Sequence, residues 1–243
     1  MGTTCSCTLA DGSSVTFSAR HFASGQYRCA HHGTYAGSGK ACVVKTYKSQ
    51  RYANFVDDVK VAGIAKQIAD KFNAEPKCKR PITFLVPKMG RITSVGACNL
   101  TCGRLRRGDV VTVEAMLRGK YEKFVSNNGT YRFQGTLTAF VHYSFFASKG
   151  RLLVCDLQGV RQDKRYMLTD PAIHSVESLG RGYGELDLGS VGIEAFFATH
   201  KCEKVCRHLP RPAKARYTTV DCEEIIRQKK RSAYVVMDMH TPE

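Results

Sequence analysis

At 243 residues and 43% hydrophobic content, the chain can bury one sizeable core or two smaller lobes, and no apolar run approaches a membrane-spanning length. A formal net charge of +16 favours anionic partners such as nucleotides, acidic proteins, anionic lipid or nucleic acid. Nucleic acid is set aside as the primary partner, because there is no arginine–glycine tract, no aromatic-basic RNA-binding signature and no paired zinc-finger spacing.

In chain order, Met1-Gly2-Thr3-Thr4-Cys5-Ser6-Cys7 matches the short myristoylation pattern through Gly2 and Ser6. Cys5 and Cys7 stand where palmitate is often added, and two acyl chains anchor stably where one does not. Residues 1–12 are therefore read as a leader, with a chance match as the plain alternative, and no secretory signal opens the chain. The eleven cysteines are odd in number and lack a disulfide-scaffold spacing, which fits a reducing compartment. The expected location is the cytoplasm, with Gly2 and Cys5 or Cys7 as the means of attachment to the inner membrane face.

Residues 14–48 read as strands separated by turns: SVTFSARHF, GQYRCAHH and ACVVKTY. The last is a β-branched run that presents Lys45. Gly37-Ser38-Gly39-Lys40 looks like part of a phosphate-binding P-loop, but Thr34 stands where that pattern needs glycine and Ala41 where it needs Ser or Thr. It is read as a hairpin turn. Phe55 to Phe72 carries an apolar stripe through Val59, Ala62, Ala65, Ile68 and Ala69, which predicts an amphipathic helix. Pro76 to Arg80 breaks it, and strands are expected at 82–86, 92–98 and 110–116. A lobe boundary is placed near 120, giving an N-terminal lobe over 13–120 and a C-terminal lobe over 121–243.

Phe133 to His142 reads as a helix, and Arg151 to Cys155 as an apolar strand closed by Asp156-Leu157-Gln158-Gly159. A strand ending in Asp-x-Gln aims a carboxylate and an amide the same way. That pair suits a hard cation such as Mg²⁺, which takes carboxylate and phosphate oxygens. A second carboxylate, Asp170, precedes Pro171, which predicts a turn and a helix start. Two acids at one phosphate site can divide metal holding from proton acceptance. His200, Cys202 and Cys206 follow the apolar helix 193–199 closely enough to suit Zn²⁺ once the helix breaks at His200. The fourth ligand is His142 or His174. After Cys206 the chain turns at Leu209-Pro210-Arg211-Pro212, and Asp221 to Arg231 reads as a short charged helix.

The ordered series AF-x-H, DLQGV, LTDP, a glycine loop and FF-x-x-H-x-C-x-x-x-C resembles the alpha-kinases, the atypical protein kinases. Val43-Val44-Lys45-Thr46-Tyr47 is similar to that family's lysine strand. Ala23 to Arg28 is similar to its phosphate-covering turn, and Lys123 to Gly129 to its asparagine-rich turn. The resemblance implies a two-lobed α+β kinase fold with ATP and Mg²⁺ in the interlobe cleft and a zinc site in the C-terminal lobe. It implies transfer of phosphate to serine or threonine of a protein substrate. Lys45, Gly25 and Arg28 would meet phosphate, Glu114 and Met116 the adenine edge, and Asp156, Gln158 and Asp170 the metal and γ-phosphate. His142 would join His200, Cys202 and Cys206 on zinc.

Two departures from the family pattern stand out. The connection between Asp156 and Asp170 is lengthened by Arg161 to Arg165. In Gly184-Glu185-Leu186-Asp187-Leu188-Gly189, Leu186 replaces a glycine and Asp187 an asparagine. Asp187 is thus a candidate metal or nucleotide ligand, or a residue that alters substrate docking. A pseudokinase that binds ATP without transfer, and a basic zinc protein on nucleic acid, are the rival readings.

Overall fold

The structure, a computed structural model, describes residues 4–25, 27–49, 52–96, 105–132, 134–176 and 182–212. Its elements are β1 (Thr4–Leu9), β2 (Ser14–Ser24), β3 (Arg28–Tyr35), β4 (Ala41–Tyr47), α1 (Tyr52–Asn73), β5 (Ile82–Phe84), β6 (Lys88–Ser94), β7 (Val110–Ala115) and β8 (Tyr121–Lys123), followed by α2 (Thr136–Ala147), β9 (Leu152–Cys155), β10 (Gln158–Arg161), β11 (Tyr166–Thr169), β12 (Ala172–Ser175) and α3 (Gly189–Thr199). None of these helices is long and apolar enough to cross a membrane. The chain divides into two compact units, residues 1–63 with 85–118, and residues 64–84 with 119–243.

The first unit is a closed barrel in the order β1-β2-β3-β4-β7-β6, every neighbouring pair antiparallel. Alternation along the strands sends Cys5, Cys7 and Leu9 inward to meet Val15, Phe17, Cys42, Val44, Val111 and Val113. Closure leaves no unpaired edge. At Gly90 a Cβ would lie 2.6 Å from Leu9 Cδ2 and 2.9 Å from the Thr8 carbonyl, so only glycine admits β1 there. The Gly37–Lys40 segment is a hairpin turn, with Gly39 at φ +66° and its amide bonded to the Tyr35 carbonyl.

The barrel corrects the leader assignment. Residues 4–9 are its first strand, because small apolar side chains recur at every second position and need a core. Both Cys5 and Cys7 are fully buried, so neither thiol is placed to take palmitate; Gly2 lies outside the described residues. Burial above all, with Cys42 and Cys5 nearby, pushes the Cys7 thiol up to about 12, which leaves it inert. Seven described cysteines are free and Cys29 is disulfide-bonded.

The second unit contains a sheet in the order β5-β11-β10-β8, a β9–β12 ladder, and helices α2 and α3. Residues 64–84 belong here, not with the first lobe as the sequence suggested. The reason is packing: β5 pairs in parallel with β11, and Phe72 meets Phe140 and Tyr143 of α2 edge-on at 5.6 and 5.2 Å. Asn73 clamps β5 from the end of α1, its amide bonding Ile82 O and its carbonyl accepting from Ile82 N, both at 2.8 Å. Residues Leu137 to Phe145 of α2 are all buried, which marks a helix enclosed on every side. After Asp170-Pro171 comes β12, not the predicted helix. Ala172 to Ser175 are four buried residues whose ladder with β9 outweighs the helix-starting tendency of the proline. The expected helix at 221–231 lies outside the described residues, as does the end of the 92–98 strand.

Candidate active site and metal centre

Two ladders bring the sequence-predicted acids together. Cys155 pairs with Ala172 on one side, and Gln158 pairs with Thr169 on the other. Residues 156–157 and 170–171 must therefore face each other where both ladders stop. The continuous strand expected through Asp-x-Gln is broken, because Asp156 turns the chain at φ +54°; Asp170 does so at +51°. Among the described residues only Lys149 is a further non-glycine with positive φ. Such a conformation is uncommon for a residue with a side chain, is best tolerated by Asp and Asn, and concentrates at functional sites. Gln158 joins the two turns, its Nε2 donating to Asp156 Oδ2 at 3.2 Å and to the Asp170 carbonyl at 3.3 Å.

Asp156 is buried, and its Oδ1 lies 2.8 Å from Lys123 Nζ. Lys123 sits directly opposite Gln158 in the β8–β10 ladder. Gly159, at φ +148°, admits the β10–β11 ladder that sets Gln158 opposite Thr169, because a Cβ there would run into the Met167 carbonyl. The result is a recessed pair of acids with one amide and one lysine, a set able to hold a hard cation and a phosphate.

In the first unit, Lys45 Nζ lies 2.6 Å from Glu114 Oε1, both side chains buried. Lys45 pairs with Thr112 and Glu114 with Val43, so the charges are diagonal neighbours on one face. Cys42, Val44, Val111 and Val113 occupy the opposite, core-facing side. Met116 follows β7, its amide reaching the Ala41 carbonyl at 3.4 Å. Gly25 closes the β2–β3 turn by bonding the Arg28 carbonyl at 2.8 Å. The Arg28 guanidinium pairs with Asp58 of α1 at 3.0 Å and lies 5.7 Å over the Tyr47 ring. Tyr47 OH also donates to Asp58, at 3.1 Å.

A third group gathers His142 of α2 with His200, Cys202 and Cys206. One donor atom from each lies within 4.8 Å of all the others. Helix α3 stops at His200, whose backbone is extended (φ −68°, ψ 121°), as the spacing of the ligands required. Cys202 Sγ is 3.6 Å from His142 Nδ1 and Cys206 Sγ 3.5 Å from His200 Nε2. Tetrahedral zinc separates nitrogen and sulfur ligands by about 3.5 Å. His142 donates its other nitrogen to the Pro210 carbonyl at 3.0 Å, which fixes the ligating tautomer. Burial holds both imidazoles below their ordinary range, His200 down to about 4 with His142 and Arg211 contributing, so both are neutral and able to ligate. His174 is not in this group.

Residues 23–206 match the model of the alpha-kinase family. The chain belongs to the alpha-kinase family. It is 31% identical over 212 residues to myosin heavy chain kinase B of Dictyostelium discoideum, covering 85% of this chain and 26% of that protein. It is likewise 31% identical over 213 residues to the eukaryotic elongation factor 2 kinase of Caenorhabditis elegans, covering 84% and 25%. The chain thus spans about a quarter of the length of these relatives. A solved alpha-kinase from Entamoeba histolytica superposes with a TM-score of 0.72 at 25% identity, covering 89% of this chain and 94% of that one.

Within this alpha-kinase domain, Asp156, Gln158 and Asp170 are brought together in the second unit, as are the four metal candidates. Lys45, Glu114, Met116, Gly25 and Arg28 belong to the first. Asp187 differs from expectation. Its Oδ1 accepts from the amides of Ser175 (3.0 Å) and Gly189 (2.8 Å), and its Oδ2 accepts from the Ser175 hydroxyl (2.8 Å). A carboxylate so engaged braces the chain itself, a role the sequence reading did not give it. Lys123 is a site residue that the sequence reading missed; His174 was weighed there only as a fourth zinc ligand, and its hydrogen bonds to the Asn127 carbonyl and the Leu188 amide were not foreseen. Lys123 was within the asparagine-rich turn, and only the β8–β10 register reveals its partner.

Proposed function

We propose that this alpha-kinase domain transfers the γ-phosphate of ATP, with Mg²⁺, to serine or threonine hydroxyls of a protein. The observation that carries the proposal is the pair of left-handed aspartates, Asp156 and Asp170, joined through Gln158. Backbone strain at two adjacent aspartate turns is retained only where the surrounding ladders impose it, and phosphate chemistry is a use for it. Asp156 and Gln158 would hold Mg²⁺, which when bound neutralises phosphate charge. Lys45 supplies positive charge to the nucleotide phosphates. One of the two aspartates accepts the proton of the attacking hydroxyl, a small demand in a loose transition state. Glu114 and Met116 hold the base at the end of β7, and Gly25 and Arg28 cover the phosphates.

The four-donor His142, His200, Cys202 and Cys206 set fits a structural Zn²⁺, which offers no open position for a water and would tie α2 to the chain beyond α3. The Leu186 and Asp187 departures, which raised the pseudokinase reading, sit in a hydrogen-bonded turn: Asn127 Nδ2 donates to the Leu186 carbonyl at 3.1 Å, and Asp187 is held as described. They leave the Asp156–Gln158–Asp170 set intact.

The test is transfer of labelled γ-phosphate from Mg·ATP to the protein itself and to a basic model protein. Wild type is compared with Asp156→Ala and Lys45→Ala. Incorporation that drops by about 10²-fold or more in both variants supports the reading. Folded wild type that binds ATP but transfers nothing supports the pseudokinase instead.

A further inference from the structure

His174 lies on β12, fully buried, with its ring pressed against α3: a Cβ on Gly192 would fall 2.4 Å from His174 Cδ2 and 2.6 Å from Cγ. Its Nδ1 accepts from the Leu188 amide at 3.0 Å, so that nitrogen carries no proton. The proton is on Nε2, which donates to the Asn127 carbonyl at 2.7 Å. Cys155 Sγ, on the residue before Asp156, is 3.1 Å from the same nitrogen. The next residue on β12, Ser175, supplies two donors to the Asp187 carboxylate. Asn127 in turn holds Leu186. Four consecutive loop residues are thus tied: Leu186 by Asn127, Asp187 by Ser175, Leu188 by His174, and Gly189 by Asp187.

Resting on the phosphotransfer reading above, we infer that His174 and Asp187 are positioning residues: together they latch the 184–189 loop and the Asn127 turn onto the β9–β12 ladder that delivers Asp156. The chemistry of the latch depends on geometry, not on charge. A buried carboxylate is tolerable here because three donors meet it. An asparagine at 187 keeps one oxygen for the amides of Ser175 and Gly189, and its NH₂ can donate to the Ser175 hydroxyl. An alanine leaves both buried amides without an acceptor, which favours an open loop. Misplacing reacting groups by about 1 Å costs on the order of 100-fold in rate.

The experiment uses the full chain as wild type, Asp187→Asn, Asp187→Ala and Ser175→Ala. It measures kcat and KM for ATP and for a basic model protein, with amide hydrogen exchange of Ser175, Leu188 and Gly189 in parallel. In Asp187→Ala, kcat is expected to fall by about 100-fold with KM for ATP within about twofold, and protection of Ser175 and Gly189 is lost. Asp187→Asn recovers both, and Ser175→Ala, which removes one bond of three and leaves the fold, falls between. Wild-type kcat with retained protection in Asp187→Ala overturns the latch. So does an Asp187→Asn variant as impaired as Asp187→Ala, because then the charge is what matters and a ligand role returns. If wild type transfers no phosphate, the kinase reading fails, and the exchange arm alone decides the latch: unchanged protection in Asp187→Ala overturns it.

Discussion

The two units hold buried charge in opposite ways. In the barrel, Lys45 and Glu114 neutralise one another at 2.6 Å within an uninterrupted β4–β7 ladder. In the second unit, Asp156 sits where two ladders end, on strained backbone, with a half-exposed lysine as its counter-charge. The barrel manages charge by register, which is regular and repeats. The second unit manages it by breaking regularity and bracing the break from both sides. A buried partner is hard to remove without penalty, whereas a half-exposed one is more easily lost.

The largest effect that would test this division is removal of the proposed zinc. Structural zinc supplies folding free energy on the order of 10 kcal/mol in small domains, so a chelator, or Cys206→Ser, should melt α2, α3 and the β9–β12 ladder. Exchange protection in β1–β4 should persist, because the barrel has its own core and closed hydrogen bonding. Equal loss in both units would show that they do not fold separately, and no loss in either would remove zinc from the account.

Next in size is the contrast between the two lysines. Lys45→Met takes the cation away from the buried Glu114 carboxylate, a change worth about 3–5 kcal/mol, and adding Glu114→Leu should recover most of it. Lys123→Met should cost about 1 kcal/mol or less, since its side chain is 48% exposed and solvent already screens the pair. Denaturant midpoints of the three variants decide the matter, and equal costs for the two single changes would erase the distinction between buried and half-exposed partners.

What could be read from the sequence follows the same division. Turn-bounded runs marked β2, β3, β4 and β7, and the β-branched run singled out Lys45; β2 and β3 also alternate, as a barrel strand writes its inward face at every second position. The same alternation was present in Cys5, Cys7 and Leu9 but was read as a leader, since cysteine near a glycine start has a second, chemical meaning. The grouping of the acids, and of the four His and Cys residues that could hold a metal, was legible from spacing and family resemblance. Lys123, the pairing of Glu114 with Lys45, and the capture of Asp187 by Ser175 were not, as each depends on which residue a register sets opposite another. β12 was mistaken for a helix start, because proline's local preference says nothing of the β9 strand waiting to pair.

A smaller effect tests whether the strain at Asp156 is real. With φ at +54°, alanine there bears a left-handed penalty that glycine does not, so Asp156→Gly should be more stable than Asp156→Ala by about 1 kcal/mol. Both should be equally inactive. Reversed order in thermal unfolding would mean that the backbone relaxes once the carboxylate is gone, and that the side chain, not the paired ladders, imposes the turn.

The smallest effect belongs to the barrel and concerns pH. His31 is fully buried, with Nδ1 3.0 Å from the Ser18 carbonyl and Nε2 3.2 Å from the Thr46 hydroxyl. Burial chiefly, with His21 adding, lowers its pKa from the ordinary 6.5, while the Ser18 carbonyl pulls the other way. The unfolded chain therefore binds this proton at a higher pH than the folded barrel does. Stability from His31 is complete above 6.5 and declines as pH falls from there toward the folded value, by at most about 1.4 kcal/mol per pH unit. Barrel protection by hydrogen exchange at pH 7.5 and 5.5 should differ in wild type and differ less in His31→Gln, which has no proton to gain. A slope unchanged by the substitution would move the acid sensitivity to another group and leave the barrel's one buried neutral imidazole without a thermodynamic signature.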